Sequence, residues 1–272
     1  MNFSQIIKSI ENVDPEIYER TSGRRDIFKN FGSTGKKIAL TALPFALGSI
    51  FQKAYGQTPT SIIDVLNFAL TLEYLEAGFY AQATATSGLI AATETGGFAT
   101  IAAHEAAHVT FLTSAITSSG GTPVAKPTFD YTAKGAFSDV FTNYATFLAV
   151  SQTFEDTGVR AYKGQAPNLQ SNGSVLTAAL NIHSVEARHA SYVRYVRFKD
   201  GAAVTPWITG TDSGGIGTAV AATYAGEDNT VQATVQITGI DGFSISADAA
   251  SAAFDEPLTS TAVLAIVAPF IV

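Results

Sequence analysis

The chain has 272 residues, enough for one sizeable domain with additions. Charged residues make up only 14 % and the formal net charge is −7. That excludes the basic stripe of a nucleic-acid binder and gives no pull toward an anionic membrane surface. There is no cysteine, so disulfides, thiolate-bound zinc, iron–sulfur clusters and cysteine nucleophiles are excluded, and any metal must be held by Glu, Asp, His or backbone oxygen.

Residues 1–57 read as an export signal. A polar stretch ends in Ser22-Gly23-Arg24-Arg25-Asp26-Ile27-Phe28-Lys29; Lys36-Lys37 then precede an apolar run from Ile38 to Phe51, and Ala54-Tyr55-Gly56-Gln57 forms a small-residue exit. The run is too short to span a bilayer comfortably. The Arg24-Arg25 pair followed by Ile-Phe-Lys resembles a twin-arginine signal, which implies a periplasmic or extracellular protein exported folded. Gly23 and Ile27-Phe28 depart from the usual pattern, and an uncleaved amphipathic helix is the competing reading.

Residues 58–200 carry four helical patterns, at about 61–86, 97–118, 135–163 and 174–198. Ser171, Asn172 or Ser174 can cap the fourth. The first and third connections are short and suit antiparallel neighbours. The middle one, about 119–134, contains Gly120-Gly121, Pro123 and Pro127 and cannot be helical. Its sixteen residues can reach roughly 50 Å when extended, whereas a 26-residue helix is roughly 39 Å long. One long crossover between the second and third helices therefore fits.

The second and fourth helices each carry a Glu-x-x-His motif, Glu105-Ala-Ala-His108 and Glu186-Ala-Arg-His189. Spacing of three puts both side chains on one helical face, within reach of one ion. The first and third helices each contribute a lone Glu with a Tyr seven positions on, Glu73 with Tyr80 and Glu155 with Tyr162. The pattern repeats as two copies of one helical hairpin, related by a pseudo-twofold. Four carboxylates buried together are costly unless neutralised. Two divalent ions balance four Glu, and oxygen with imidazole ligation favours iron or manganese.

These residues resemble the ferritin-like superfamily. The stretch from Leu66 to Ala77, Leu-Asn-Phe-Ala-Leu-Thr-Leu-Glu-Tyr-Leu-Glu-Ala, is similar to a bacterial ferritin-like family related to plant desiccation-related proteins, and Phe254-Asp255-Glu256-Pro257-Leu258 is similar to that family's tail. The resemblance implies a mainly α, ferritin-like four-helix bundle with one long crossover, plus a small mixed C-terminal extension. It implies Glu105 and Glu186 as bridging ligands, His108 and His189 as one imidazole per ion, and Glu73 and Glu155 as terminal ligands. Two iron ions are expected, with manganese or mixed metals as alternatives, and O2 or H2O2 as co-substrate. The activity expected is Fe(II) oxidation that detoxifies iron or peroxide. The alternative is a stress or desiccation-related protein whose metals only staple the bundle. A homo-oligomer is expected, although the C-terminal appendage argues against a closed storage shell.

Several neighbours are secondary candidates. Glu76, one turn from Glu73, competes with it as ligand. Tyr80 and Tyr162 can hydrogen-bond bound carboxylates. Asp156 can orient a histidine or pair with Arg188 or Arg160, and His183 lies one turn before Glu186. His104 is expected at the surface. Gly78 and Gly158 are expected to permit close helix approach.

Residues 201–272 change character: Thr, Val, Gly and Ala dominate. Residues 219–224 and 230–237 alternate partly like strands, while 247–254 and 260–271 are expected as short helices, the latter interrupted by Pro269. No catalytic constellation is visible there, and the terminal apolar run is too short for a membrane anchor. This extension is expected to pack on the bundle or on a second subunit.

Overall fold

A computed structural model describes residues 61–272. The export-signal expectation for residues 1–57 lies outside them.

Four long helices form the bundle: α1 (Ile62–Ala85), α2 (Thr95–Ser118), α3 (Tyr144–Gln165) and α4 (Gly173–Lys199). Ser61 starts α1 with a reciprocal capping box, its hydroxyl accepting from the Asp64 backbone while the Asp64 side chain accepts from the Ser61 backbone. Asn143 caps α3 and Asn172 caps α4. Among the described residues no helix is long and apolar enough to cross a membrane.

The connection between α2 and α3 runs along α1. Near its start, the Asn67 side chain on α1 takes a hydrogen bond from Val124 N at 2.7 Å. Farther on, Tyr131 donates to the Leu75 carbonyl and packs its ring, tilted, against Phe79. The chain enters α3 beside Phe98 and Phe147, whose rings lie 5.0 Å apart. It leaves α3 near Tyr162, which packs with Leu66 and Leu112. The polypeptide therefore crosses the bundle's length before α3 begins, and α3 runs parallel to α2.

The crossover is longer than expected, because α3 starts at Tyr144 and not near residue 135. Ala136, Phe137, Val140 and Phe141 have helical spacing, but Ala133 and Lys134 sit in the left-handed region at φ 49° and 56°. The Asp130 carboxylate fixes this turn by accepting from Thr132 N and Lys134 N. Residues 131–142 then proceed as successive tight turns, and Phe137 and Phe141 still pack on the core.

Two apolar clusters fill the bundle. One surrounds Phe79, Phe98, Phe147 and Phe154; the other joins Leu66, Leu70, Leu112, Ile116 and Ile182. Glu73, Glu105, Glu155 and Glu186 are fully buried on helices shared by these clusters.

The C-terminal extension packs on α3. Residues 219–224, expected as a strand, lie in a 3-10 helix, Thr218–Tyr224, which turns Thr223 and Tyr224 toward α3 while Val220 packs with Ile208. Two short strands, β1 (Val231–Gln232) and β2 (Val235–Gln236), pair antiparallel. Helices α5 (Ala247–Ser251) and α6 (Ser260–Val267) follow, and Pro269 falls in a 3-10 turn, Ala268–Phe270.

Three residues spaced one turn apart on α3 anchor this covering. Gln152 donates to the Tyr224 hydroxyl at 2.8 Å. The Tyr224 hydroxyl also approaches the Asp156 carboxylate at 2.8 Å, and Asp156 is held by Arg194 of α4 at 2.6 Å. Arg160 donates to the carbonyls of Thr223, Ala225 and Glu256 and pairs with Glu227 at 2.6 Å. In return, the Arg160 carbonyl accepts from Leu258 N at 3.0 Å. The Leu258 backbone fits against Gly164, where any Cβ would collide with its carbonyl. The segment around Phe254–Leu258 is thus a clasp on α3, reinforced by Lys163 donating to the Asp255 carbonyl. Buried residues run almost without a break from Phe147 to Gln165.

Candidate metal centre

α1 presents Glu73, α2 presents Glu105 and His108, α3 presents Glu155, and α4 presents Glu186 and His189, all pointing into the bundle. Their ligand atoms form two overlapping tetrads. Glu73, Glu105, His108 and Glu186 make one; Glu105, Glu155, Glu186 and His189 make the other. Within each, the atoms lie within 4.8 Å of one another. Glu105 and Glu186 belong to both. All six sequence-selected ligand candidates are therefore brought together.

The spacing around His108 is that of an ion's shell. Its Nδ1 lies 3.2 Å from Glu73 Oε2, 3.3 Å from Glu105 Oε2 and 3.2 Å from Glu186 Oε1. One N–H serves one good acceptor, yet three carboxylates converge on this nitrogen. Adjacent ligands around an octahedral ion of ~2.1 Å bond length stand ~3.0 Å apart. His189 behaves alike, its Nδ1 lying 2.8 Å from Glu105 Oε1 and 3.4 Å from Glu155 Oε2.

Hydrogen bonds leave the cluster unsatisfied. Glu105 Oε1, Glu155 Oε2, both Glu186 oxygens and His189 Nδ1 are buried without an aligned partner. The 2.8 Å approach of His189 to Glu105 is thus close but misdirected for a hydrogen bond. Such orphaned acceptors are costly in a dry interior. Two divalent cations would satisfy them, so the residues present fit the metals.

Protons partly compensate in the metal-free cluster. Burial lifts Glu73 to about 8, and burial with the charges of Glu186 and Glu105 lifts Glu76 far above the carboxylate range. Burial, then Glu105 and Glu73, does the same to Glu186, and burial raises Glu155. Glu105 goes the other way: burial raises it, but the adjacent imidazoles of His108 and His189 win and hold it at about 2. Burial alone would lower the imidazoles, yet the surrounding carboxylates push His108 up to about 12 and His189 to about 10.

The two tyrosines exchange partners across the pseudo-twofold. Tyr80 on α1 donates to Glu155 Oε1 on α3 at 2.5 Å, and Tyr162 on α3 donates to Glu73 on α1. Burial and these carboxylates push both phenols well upward, so they stay neutral donors.

Asp156, His183, Gly158 and Gly78 each have identifiable neighbours. Asp156 touches no histidine and pairs with neither Arg188 nor Arg160; Arg194 claims both its oxygens. His183 lies beside Val159, Lys163 and Asp255, away from the carboxylates. Gly158 makes room for carboxylates: a Cβ there would stand 3.2 Å from both Glu186 Oε2 and Glu76 Oε1. Gly78 instead leaves space for the Tyr131 hydroxyl of the crossover.

Two residues outside the six bear on the site. His104 is exposed, as expected, but it also stacks on His189, with its Nδ1 2.9 Å from His189 Nε2. It fixes the outer nitrogen of that ring and leaves Nδ1 turned inward. Glu76 belongs to neither tetrad but is a fifth buried carboxylate beside them. Its position three residues after Glu73 was the available signal.

No curated protein matches the chain. Residues 61–199, just over half of it, match the ferritin-like domain family, and the match ends where α4 does. Bundle, long crossover and buried Glu/His cluster agree with that match, and the chain belongs to the ferritin-like domain family.

Proposed function

We propose that Glu73, Glu105, His108, Glu155, Glu186 and His189 hold two transition-metal ions, with Glu105 and Glu186 bridging, and that the centre oxidises Fe(II) with O2 or H2O2. The observation that carries this reading is the pair of tetrads sharing two carboxylates. Fe(II) held by these residues would supply the two electrons that peroxide needs to become two waters. That reduction also consumes two protons.

The chain's own residues serve the rest. Glu76, kept protonated by burial and then by its neighbours' charge, is an acid beside the ligands. Tyr80 and Tyr162 fix one oxygen each of Glu155 and Glu73, leaving the other free to ligate. Iron is favoured by the oxygen and imidazole donor set, which manganese also suits. The twin-arginine-like Arg24-Arg25 extends the proposal to an exported protein, a homo-oligomer outside the cytoplasm.

Aerobic addition of Fe(II), followed by the near-ultraviolet rise of the ferric product, tests the reading. Complete burial of the four ligand carboxylates favours the alternative in which metals staple a stress or desiccation-related protein. A metal-filled chain that gives no ferric product decides for that alternative.

A further inference from the structure

Beside the carboxylates, at the end of the bundle where α3 gives way to the turn before α4, lies a cavity of about 250 Å³. All four helices wall it. Leu66, Ala69, Leu112, Leu169, Ala179 and Ile182 supply apolar lining, and half-exposed Phe111 stands at its edge. The volume is roughly eight times the ~30 Å³ share of one water.

Two polar groups face this space from α3. Tyr162 already spends its hydroxyl proton on Glu73. Gln165 is only 5 % exposed, and its Oε1 accepts from Asn168 Nδ2 at 3.0 Å. Its Nε2 is buried and has no partner among the described residues. A buried amide donor left open is costly, and apart from the Tyr162 and Ser174 hydroxyls the lining around it is apolar.

We infer that this cavity binds a medium-length aliphatic molecule through an oxygen that accepts from Gln165 Nε2, its chain lying along the apolar wall. No carboxylate lines the cavity, and an amide N–H repels a cationic head, so alcohols and carbonyl compounds fit and alkylammonium ions do not. Tyr162 links the cavity to Glu73, whereas Gln165, the last residue of α3, holds the bound oxygen toward the end of the bundle. The inference rests on the cavity and Gln165 and goes beyond the reading of the centre as a metal oxidase.

Calorimetric titration of the metal-loaded full chain with 1-octanol tests it, with 1-hexanol and octylammonium as comparison probes. One saturable site per chain is expected. Affinity should rise roughly fourfold per methylene from hexanol to octanol, and octylammonium should bind far more weakly. Gln165→Leu should weaken 1-octanol about tenfold. Ala179→Phe should fill the cavity and abolish binding, with helical content and metal count unchanged. Non-saturable uptake by the parent chain, equal binding of octylammonium, or undiminished binding by Ala179→Phe overturns the inference. Metal analysis of the same samples separates the two proposals: a chain that takes 1-octanol but no metal sinks only the metal centre, and the reverse sinks only the cavity ligand.

Discussion

Tyr162 on α3 reaches across the bundle to donate to Glu73 on α1, while Tyr80 on α1 returns the contact to Glu155 on α3. Each tyrosine therefore steadies the carboxylate of the opposite hairpin. Tyr162→Phe removes the donor and leaves a buried Glu73 oxygen unpaired, at a cost of about 1–3 kcal/mol. Urea unfolding should show that loss. Fe(II) oxidation should slow, with metal content held at two ions per chain, because the ligand atoms remain.

The bridging pair predicts a sharper result. Glu105→Ala with Glu186→Ala takes two ligands from each tetrad at once. Elemental analysis should find neither ion in the double variant. Glu155→Ala affects only the tetrad containing His189 and should leave about one ion. Loss of both ions from Glu155→Ala would contradict the assignment of bridging and terminal roles.

Metal loading should release protons. At pH 7 the carboxylates keep His108 and His189 protonated, with folded values of about 12 and 10, and burial keeps Glu73 protonated at about 8. Ligation needs all three, and the raised Glu186 as well, without their protons. Calorimetry in buffers of differing ionisation enthalpy should therefore record about two to four protons released. Affinity should rise with pH. The metal-free chain shows the opposite trend in stability: its raised histidines stabilise fully below about 6.5 and lose that contribution as pH climbs through 10 and 12. Metal-loaded protein should lack that alkaline loss.

Glu227 gives an independent pH signature away from the metals. Burial raises it to about 7 even though Arg160 pulls it down. The folded chain then binds this proton more tightly than the unfolded chain, whose Glu titrates near 4.5. Its stabilising share is complete below pH 4.5 and vanishes as pH rises through 7. In metal-loaded protein, Glu227→Gln should flatten the stability profile over that interval. An unchanged slope would remove Glu227 as its source.

Helical periodicity made the bundle and its six ligand candidates legible, because Glu, His and their apolar neighbours repeat on one face of each helix. What escaped depended on contacts between distant segments. The start of α3 was misplaced because Phe137 and Phe141 point into the core from turns, at spacing that mimics a helix. Asp156 carries no local mark that Arg194 of α4 will claim it. The residues of 219–224 alternate like a strand, but their partners are side chains of α3. His104 looked like a surface residue, and its exposure gave no hint that its ring would meet His189.

The clasp on α3 makes the two halves of the centre unequal in their freedom to breathe. α3, which offers Glu155, is sheathed on its outer side, whereas α2, which offers His108, leaves Ala103, His104, Ala106 and Ala107 open to water. Opening of the sheathed half must first detach the tail, while the other half can loosen locally. A chelator should therefore strip the two ions in separate phases, drawing first on the half built from Glu73 and His108. The slow phase should quicken when Arg160→Ala frees the tail.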